Sequence, residues 1–174
     1  MKNLFKQILL VLALFLNVSF PVFALEAGAS AVPQNIAKDN RVEKLRAFLQ
    51  SYNSPLADFS SVFIKTADKY CLDWKLVPAI SGVESTFGKA IPYNSYNAYG
   101  WANGEYYFAS WEDSIEIVSR TLRANYYNRG VDTVEKIAPI YAPPSNTWGR
   151  NVRFFMDKLE NFSPKTTLAL ELSL

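Results

Sequence analysis

Apolar residues recur every three or four positions along most of this chain, and the repeat breaks in one place. Over about 35–52, Val42, Leu45 and Leu49 share one side of a helix. Ser54-Pro55, a cap followed by proline at the first helical position, opens a second helix to about Cys71 that carries Leu56, Phe59, Phe63 and Ala67. Asp73 caps a third helix running to about Thr86, with Gly88 as its stop. Ser110 and Asp113 make a capping box for a fourth, which aligns Trp111, Ile115, Val118, Leu122 and Tyr126 and ends at Gly130. A short helix near 133–138 leads into "IYAPPSNTW", where Pro139, Pro143 and Pro144 forbid regular structure. A last helix over about 147–160 turns Trp148, Val152, Phe155 and Leu159 inward.

The break lies between the third and fourth helices. Eight of the 19 positions from 93 to 111 are aromatic, so this stretch follows neither a helical nor a simple strand pattern. Asn103-Gly104 sits in its middle. Asn-Gly between apolar runs is a strong hairpin signal, because both turn positions accept positive φ. The expectation is a two-stranded hairpin of 97–102 and 105–109, packed on the helices because it is too small to stand alone. The predicted fold class is therefore α+β, mostly helical, with one small β-hairpin lobe.

The N-terminal pattern is different again. Lys2 and Lys6 precede an apolar run from Ile8 to Phe20, and Val22-Phe23-Ala24 offers small residues for a signal peptidase. The expected organisation is a signal peptide over 1–24, a linker over 25–34, one domain over 35–162 and a tail over 163–174. An uncleaved membrane anchor is the alternative for the first segment. Either places the protein outside the cytoplasm, secreted or in the cell envelope. No Cys directly follows the cut, so a lipid anchor is not expected.

Charge and composition narrow the chemistry. Without Lys2 and Lys6 the chain has 16 basic and 16 acidic residues, a balance that argues against nucleic acid as a partner. Cys71 is the single cysteine, so no intrachain disulfide forms; the expectation is a small buried hydrophobe rather than a nucleophile. There is no histidine, which excludes Ser-His-Asp and Cys-His catalysis and the usual zinc ligand sets. No Gly-rich phosphate loop is present. Chemistry here falls to carboxylates, Lys, Tyr or backbone, with no metal and no cofactor.

One carboxylate is out of place. On a helical wheel Leu76, Ile80, Val83 and Phe87 fall in a narrow arc, and Glu84 lies between Ile80 and Val77, inside the apolar sector. Desolvation by apolar walls disfavours the charged form and raises a carboxyl pKa. A carboxylic acid that stays protonated near neutral pH is what a general acid must be. The plain alternative, a Glu reaching past its helix end to water, draws no help from the helix dipole, which disfavours a negative charge there. Directly downstream come Tyr and Trp rings, flat apolar faces with polar tips on which sugars stack, and the amides of Asn94 and Asn97. About half of these rings are expected to serve as hairpin core.

The runs "DWKLVPAISGVESTFGKA", "YNSYNAYGW", "YYFASWEDSIEIVSRTL" and "IYAPPSNTW" together resemble the peptidoglycan glucosaminidases of glycoside hydrolase family 73 and the related lysozyme-like soluble lytic transglycosylases. The resemblance covers roughly 55–160. It implies a lysozyme-like α+β domain with a sugar cleft between a helical lobe and a small β-lobe. Glu84 matches the family's catalytic acid. Tyr96 to Gly100 matches a cleft-lining "NNLFG"-like stretch, and Tyr141-Ala142 matches a "YAT"-like motif whose Tyr lies close to the acid. Two departures are plain: "AYGW" stands where transglycosylases have "GLMQ", and "YATDP" is here "YAPPS".

What the resemblance implies is a glycosidase cutting β-1,4 bonds between N-acetylglucosamine and N-acetylmuramic acid, with peptidoglycan strands as partner and a monomer as the working unit. Glu84 would be the acid, and Tyr96, Asn97, Tyr99, Trp101 and Tyr141 would shape the site. Glycosidic cleavage usually takes two carboxylates. Glu105, just after the Asn-Gly turn, is the candidate second one, against the reading of a solvated turn residue. Without it, the substrate's N-acetyl group assists, or Glu84 serves as both acid and base while the muramyl 6-hydroxyl closes an anhydro ring. A non-catalytic glycan-binding module and a structural assembly protein on the same fold are the competing classes.

Overall fold

The computed structural model describes residues 39–164. The expected signal segment, the linker and most of the expected tail lie outside the described residues. Six α-helices follow one another: α1 (Arg41–Ser51), α2 (Ser60–Tyr70), α3 (Leu76–Ser85), α4 (Trp111–Thr121), α5 (Val134–Tyr141) and α6 (Trp148–Glu160). The chain is mostly helical, as its periodicity predicts.

The middle of the fold is α3. Residues Leu76 to Gly82 are all buried, so this helix is surrounded rather than one-sided. It packs against α6, while α2 packs on α4 and α5 on α6. The predicted inward positions are inward: Leu45, Leu49, Leu56, Phe63, Ile115, Val118, Leu122, Val152 and Leu159 are each no more than 2% exposed. α4 starts at the predicted box, in which Ser110 Oγ accepts from the Asp113 N–H at 3.2 Å and Asp113 Oδ2 accepts from the Ala109 N–H at 3.1 Å.

The end of α3 is a tight reversal. Thr86, Phe87 and Gly88 all have positive φ, at 52°, 59° and 80°, so the helix stops before the glycine expected to end it. The Phe87 N–H returns to the Ser81 carbonyl at 2.9 Å, and Ser85 Oγ accepts from the Gly88 N–H at 2.8 Å. This folds the Phe87 ring back under Gly82, where an added Cβ would stand 2.7 Å from it. The ring is fully buried between Tyr52 and Phe155, with centroids 4.5 and 4.9 Å away. Non-glycine residues at positive φ are strained, and the buried aromatic contact offsets that cost.

The predicted hairpin does not form. Among the described residues there is no strand. Asn103 and Gly104 do take positive φ, 55° and 88°, but so does Ala102, at 48°. Three left-handed residues in a row coil 101–104 into a tight 3₁₀ loop instead of launching two strands. A buried side chain replaces the ladder: Asn97 Nδ2 donates to the carbonyls of Trp101 and Tyr106, at 2.8 and 3.1 Å. Its Oδ1 accepts from the N–H groups of Trp101 and Tyr99, at 3.1 and 3.4 Å.

Three smaller expectations also give way. Ser54-Pro55 opens a 3₁₀ turn at Ala57–Phe59 before α2 proper begins at Ser60. α5 runs through Pro139 to Tyr141 rather than stopping at 138; the proline sits on the exposed side of the helix. Cys71 is exposed, not buried: it takes the left-handed position that ends α2 (φ 49°), and that turn sends Leu72 into the core instead.

Because Asn97 satisfies four backbone groups of the loop, Asn97→Ala should lower unfolding free energy by about 2–4 kcal/mol, the cost of stranding buried polar groups. Asn97→Asp, which keeps only the two acceptor contacts, should fall between. Urea unfolding followed by Trp fluorescence checks both; an Ala variant as stable as wild type would refute the role.

Candidate functional site

Glu84 occupies the last turn of α3, on the side away from Phe87. Its carboxyl group is half-buried between two segments that are distant in sequence. Trp148, the first residue of α6, donates its indole N–H to Glu84 Oε1 at 2.6 Å. Opposite, the backbone at Gly100 lies so close that a Cβ there would stand 2.5 Å from Glu84 Oε2. With φ at +70° besides, position 100 accepts glycine on two independent counts.

Each neighbour is itself held. Ser145 Oγ accepts from the Trp148 N–H at 3.1 Å, which seats the start of α6. The Trp148 ring stacks on Tyr141, with centroids 4.8 Å apart and planes 24° from parallel. Tyr141 Oη donates to the Tyr99 carbonyl at 2.8 Å, next to Gly100. On the α3 side, Ser85 Oγ lies 3.0 Å from the Ala98 carbonyl and ties the helix end to the same loop.

These surroundings set the proton affinities. Desolvation raises the Glu84 pKa above the usual carboxylate value, and the Trp148 hydrogen bond opposes that rise by favouring the charged form. Burial also pushes the Tyr141 hydroxyl well above the usual phenol range, and the nearby Glu84 carboxylate adds to the shift. Tyr141 thus keeps its proton and acts as a donor. Tyr126 is raised by burial as well, and its ring lies 6.4 Å from that of Tyr141.

A cleft of about 340 Å³ opens beside this group, lined by Tyr99, Gly100, Trp101, Ala102, Asn103, Tyr126 and Tyr141. Glu84 is not among the lining residues but adjoins the cleft through Gly100. Trp101 and Tyr141, both sequence candidates, meet here. Tyr96 is elsewhere: its partly buried ring packs edge-on against Trp111 at 5.3 Å. Asn97 is buried with its amide spent on the loop backbone. Tyr99 is completely buried, and its hydroxyl has no hydrogen-bond partner among the described residues. Glu105 is exposed on the loop that follows Gly104.

Two contributors escaped the sequence reading. Trp148 and Tyr126 were visible only as inward positions of their helices, and nothing local marks either as a neighbour of Glu84 or Tyr141. Of the aromatic segment, Tyr93, Tyr106 and Tyr107 expose 87%, 42% and 61% of their surface, more than such rings usually do. Among the described residues no three His, Cys, Asp or Glu side chains converge as a metal site would require. No protein-family model matches the chain, and no curated protein matches it in sequence.

The raised Glu84 pKa makes stability depend on pH in a definite direction. The folded state holds a proton that the unfolded chain releases, so stability falls as pH rises from the ordinary value of 4.5 to the raised folded one. Below 4.5 both states are protonated and the contribution is fully present. Glu84→Gln has no proton to lose. Its melting temperature relative to wild type should therefore increase between about pH 4 and about pH 7 in parallel thermal scans. A constant difference would mean that Glu84 is not desolvated.

Proposed function

We propose that this protein is an exported, lysozyme-like glycosidase that cleaves the β-1,4 bonds of peptidoglycan between N-acetylglucosamine and N-acetylmuramic acid, with Glu84 as the acid. The observation that carries this reading is the desolvated Glu84 carboxyl, fixed by Trp148 and Gly100 beside a cleft walled by aromatic rings. It agrees with the resemblance of "AISGVES", "NAYG" and "IYAPPSNTW" to family 73 glucosaminidases and soluble lytic transglycosylases. The reading calls for no cofactor and for a monomer acting on glycan strands.

Protonated Glu84 donates to the glycosidic oxygen as the bond to the sugar C1 breaks, and the bonding electrons leave with that oxygen. The positive charge developing at C1 is then captured by an oxygen nucleophile, and the hydroxyl or water that completes the reaction returns its proton to the Glu84 carboxylate. We assign both proton transfers to Glu84. Glu105 has no hydrogen bond from a described residue to hold it in place, and a base must be positioned to work. The nucleophile is then the muramyl 6-hydroxyl, which closes an anhydro ring as it gives up its proton, or the N-acetyl carbonyl oxygen. The latter bonds C1 to form an oxazolinium ion that a water, losing its proton to Glu84, then opens. Tyr141 and Trp101 offer faces for the sugar rings.

Release of soluble muropeptides from purified sacculi tests this. Glu84→Gln should lower release by about 10²–10⁴-fold, the usual worth of a general acid, while Glu105→Gln stays close to wild type. Loss of activity in the Glu105 variant would restore a two-carboxylate mechanism. A wild-type protein that binds sacculi without releasing anything would make the fold a glycan-binding module instead.

The hydrogen bond from Trp148 stabilises the ionised form of Glu84, so its removal should let the pKa climb further. Trp148→Phe is expected to move the alkaline limb of the pH–rate profile to higher pH. A limb that stays put, or moves down, would disconnect Trp148 from the acid.

A further inference from the structure

A second cavity, of about 220 Å³, adjoins the cleft and shares Trp101, Tyr126 and Tyr141 with it. It exists because the fourth helix changes pitch. After Thr121 the chain widens into a single π-turn over Leu122–Tyr126, then tightens to 3₁₀ over Tyr127–Arg129. Such a turn carries an extra residue and rotates everything beyond it. Tyr126, at φ −118° and ψ −68°, lines both the cavity and the cleft and is a partition between them.

The lining has a distinct polarity. Val118 and Leu122 contribute apolar surface, and Trp101 and Tyr141 form the wall shared with the cleft. Thr121, Asn125 and Arg129 recur every four residues, one per turn, and bring a hydroxyl, an amide and a guanidinium to the same space. None of the three side chains is paired with another described residue, whereas Arg41 and Arg153 both carry ion pairs. Among the described residues, no Asp or Glu lines the cavity. An unpaired guanidinium beside apolar walls suits a planar carboxylate on a small apolar stem.

We propose that this cavity is a subsite for the acidic substituent of the glycan, the lactyl-peptide arm that distinguishes a muramyl residue from a glucosaminyl one, with Arg129 pairing to a free carboxylate of the peptide. The inference rests on the glycosidase reading for the identity of the sugar. It adds to that reading a reason why the enzyme would choose one sugar of the alternating strand over the other. A ring held in the cleft has its substituent beside the Tyr126 partition, so both could be filled by one ligand.

Titration calorimetry with the full chain separates the two ideas. The probes are chitotetraose, which is neutral, and a disaccharide tetrapeptide of N-acetylglucosamine and N-acetylmuramic acid, which is anionic. Wild type should bind the anionic probe at least about tenfold more tightly, the worth of one charge-assisted contact. Arg129→Ala should erase most of that preference, and Asn125→Asp, which sets a like charge in the cavity, should do the same. Both residues are exposed, so the variants should fold; circular dichroism confirms it. Equal affinities in wild type, binding of neither probe, or a preference that survives both substitutions would overturn the subsite. Sacculus lysis reads the other question: Glu84-dependent lysis with equal affinities removes the subsite alone, and preference without lysis removes the catalysis alone.

Discussion

A single hydrogen bond, from the Trp148 indole to the Glu84 carboxyl, organises the site described above. It joins the end of α3 to the start of α6, two helices that pack against each other. From Trp148 the connection passes by stacking to Tyr141, by hydrogen bond to the Tyr99 carbonyl, and through Gly100 back to Glu84. The circuit closes on itself. Each member is placed by the one before it. Desolvating a carboxylate is costly, and here the cost is limited in two ways. The indole N–H stabilises the ion, and a raised proton affinity lets the group escape ionisation.

The backbone beneath this circuit is unusually bent. Thr86 and Phe87 end α3 in left-handed conformations, and Ala102 and Asn103 coil the facing loop in the same way. Strain of this kind persists only where surrounding contacts over-determine it. Phe87 is locked by a buried aromatic cluster, and the loop by the four hydrogen bonds of Asn97. Both devices work at the two edges of the Glu84 carboxyl. The helical core thus supplies stiffness, and the loops spend it on holding Gly100 against an acid.

The aromatic segment serves two ends at once. Tyr99 and Phe108 are buried and anchor it, while Tyr93, Tyr106 and Tyr107 remain in water. Trp101 stands between, close to Tyr106 and Phe108 on one side and facing both cavities on the other. The widened turn of the fourth helix completes the arrangement by turning Tyr126 toward Tyr141. A glycan strand bound here would meet rings from three separate parts of the chain, none of which could form a face alone.

Much of this was legible in the amino-acid order alone. The six helices and their inward faces follow from apolar periodicity, because burying a stripe is the dominant favourable term and acts wherever the stripe occurs. Glu84 stood out for the same reason, as the one charge in an apolar arc. The Asn-Gly signal foretold positive φ at both positions but not the shape of the loop. A hairpin needs its flanks to pair with each other, and the Asn97 amide, four residues from Trp101 and nine from Tyr106, takes those groups first. Likewise Trp148 and Tyr126 read as ordinary core positions, since nothing local says which of many buried rings will reach a carboxyl 64 residues away. Local pattern decides what must be hidden from water. Which hidden groups meet is decided only when the helices pack, because those contacts depend on distances that no stretch of sequence contains.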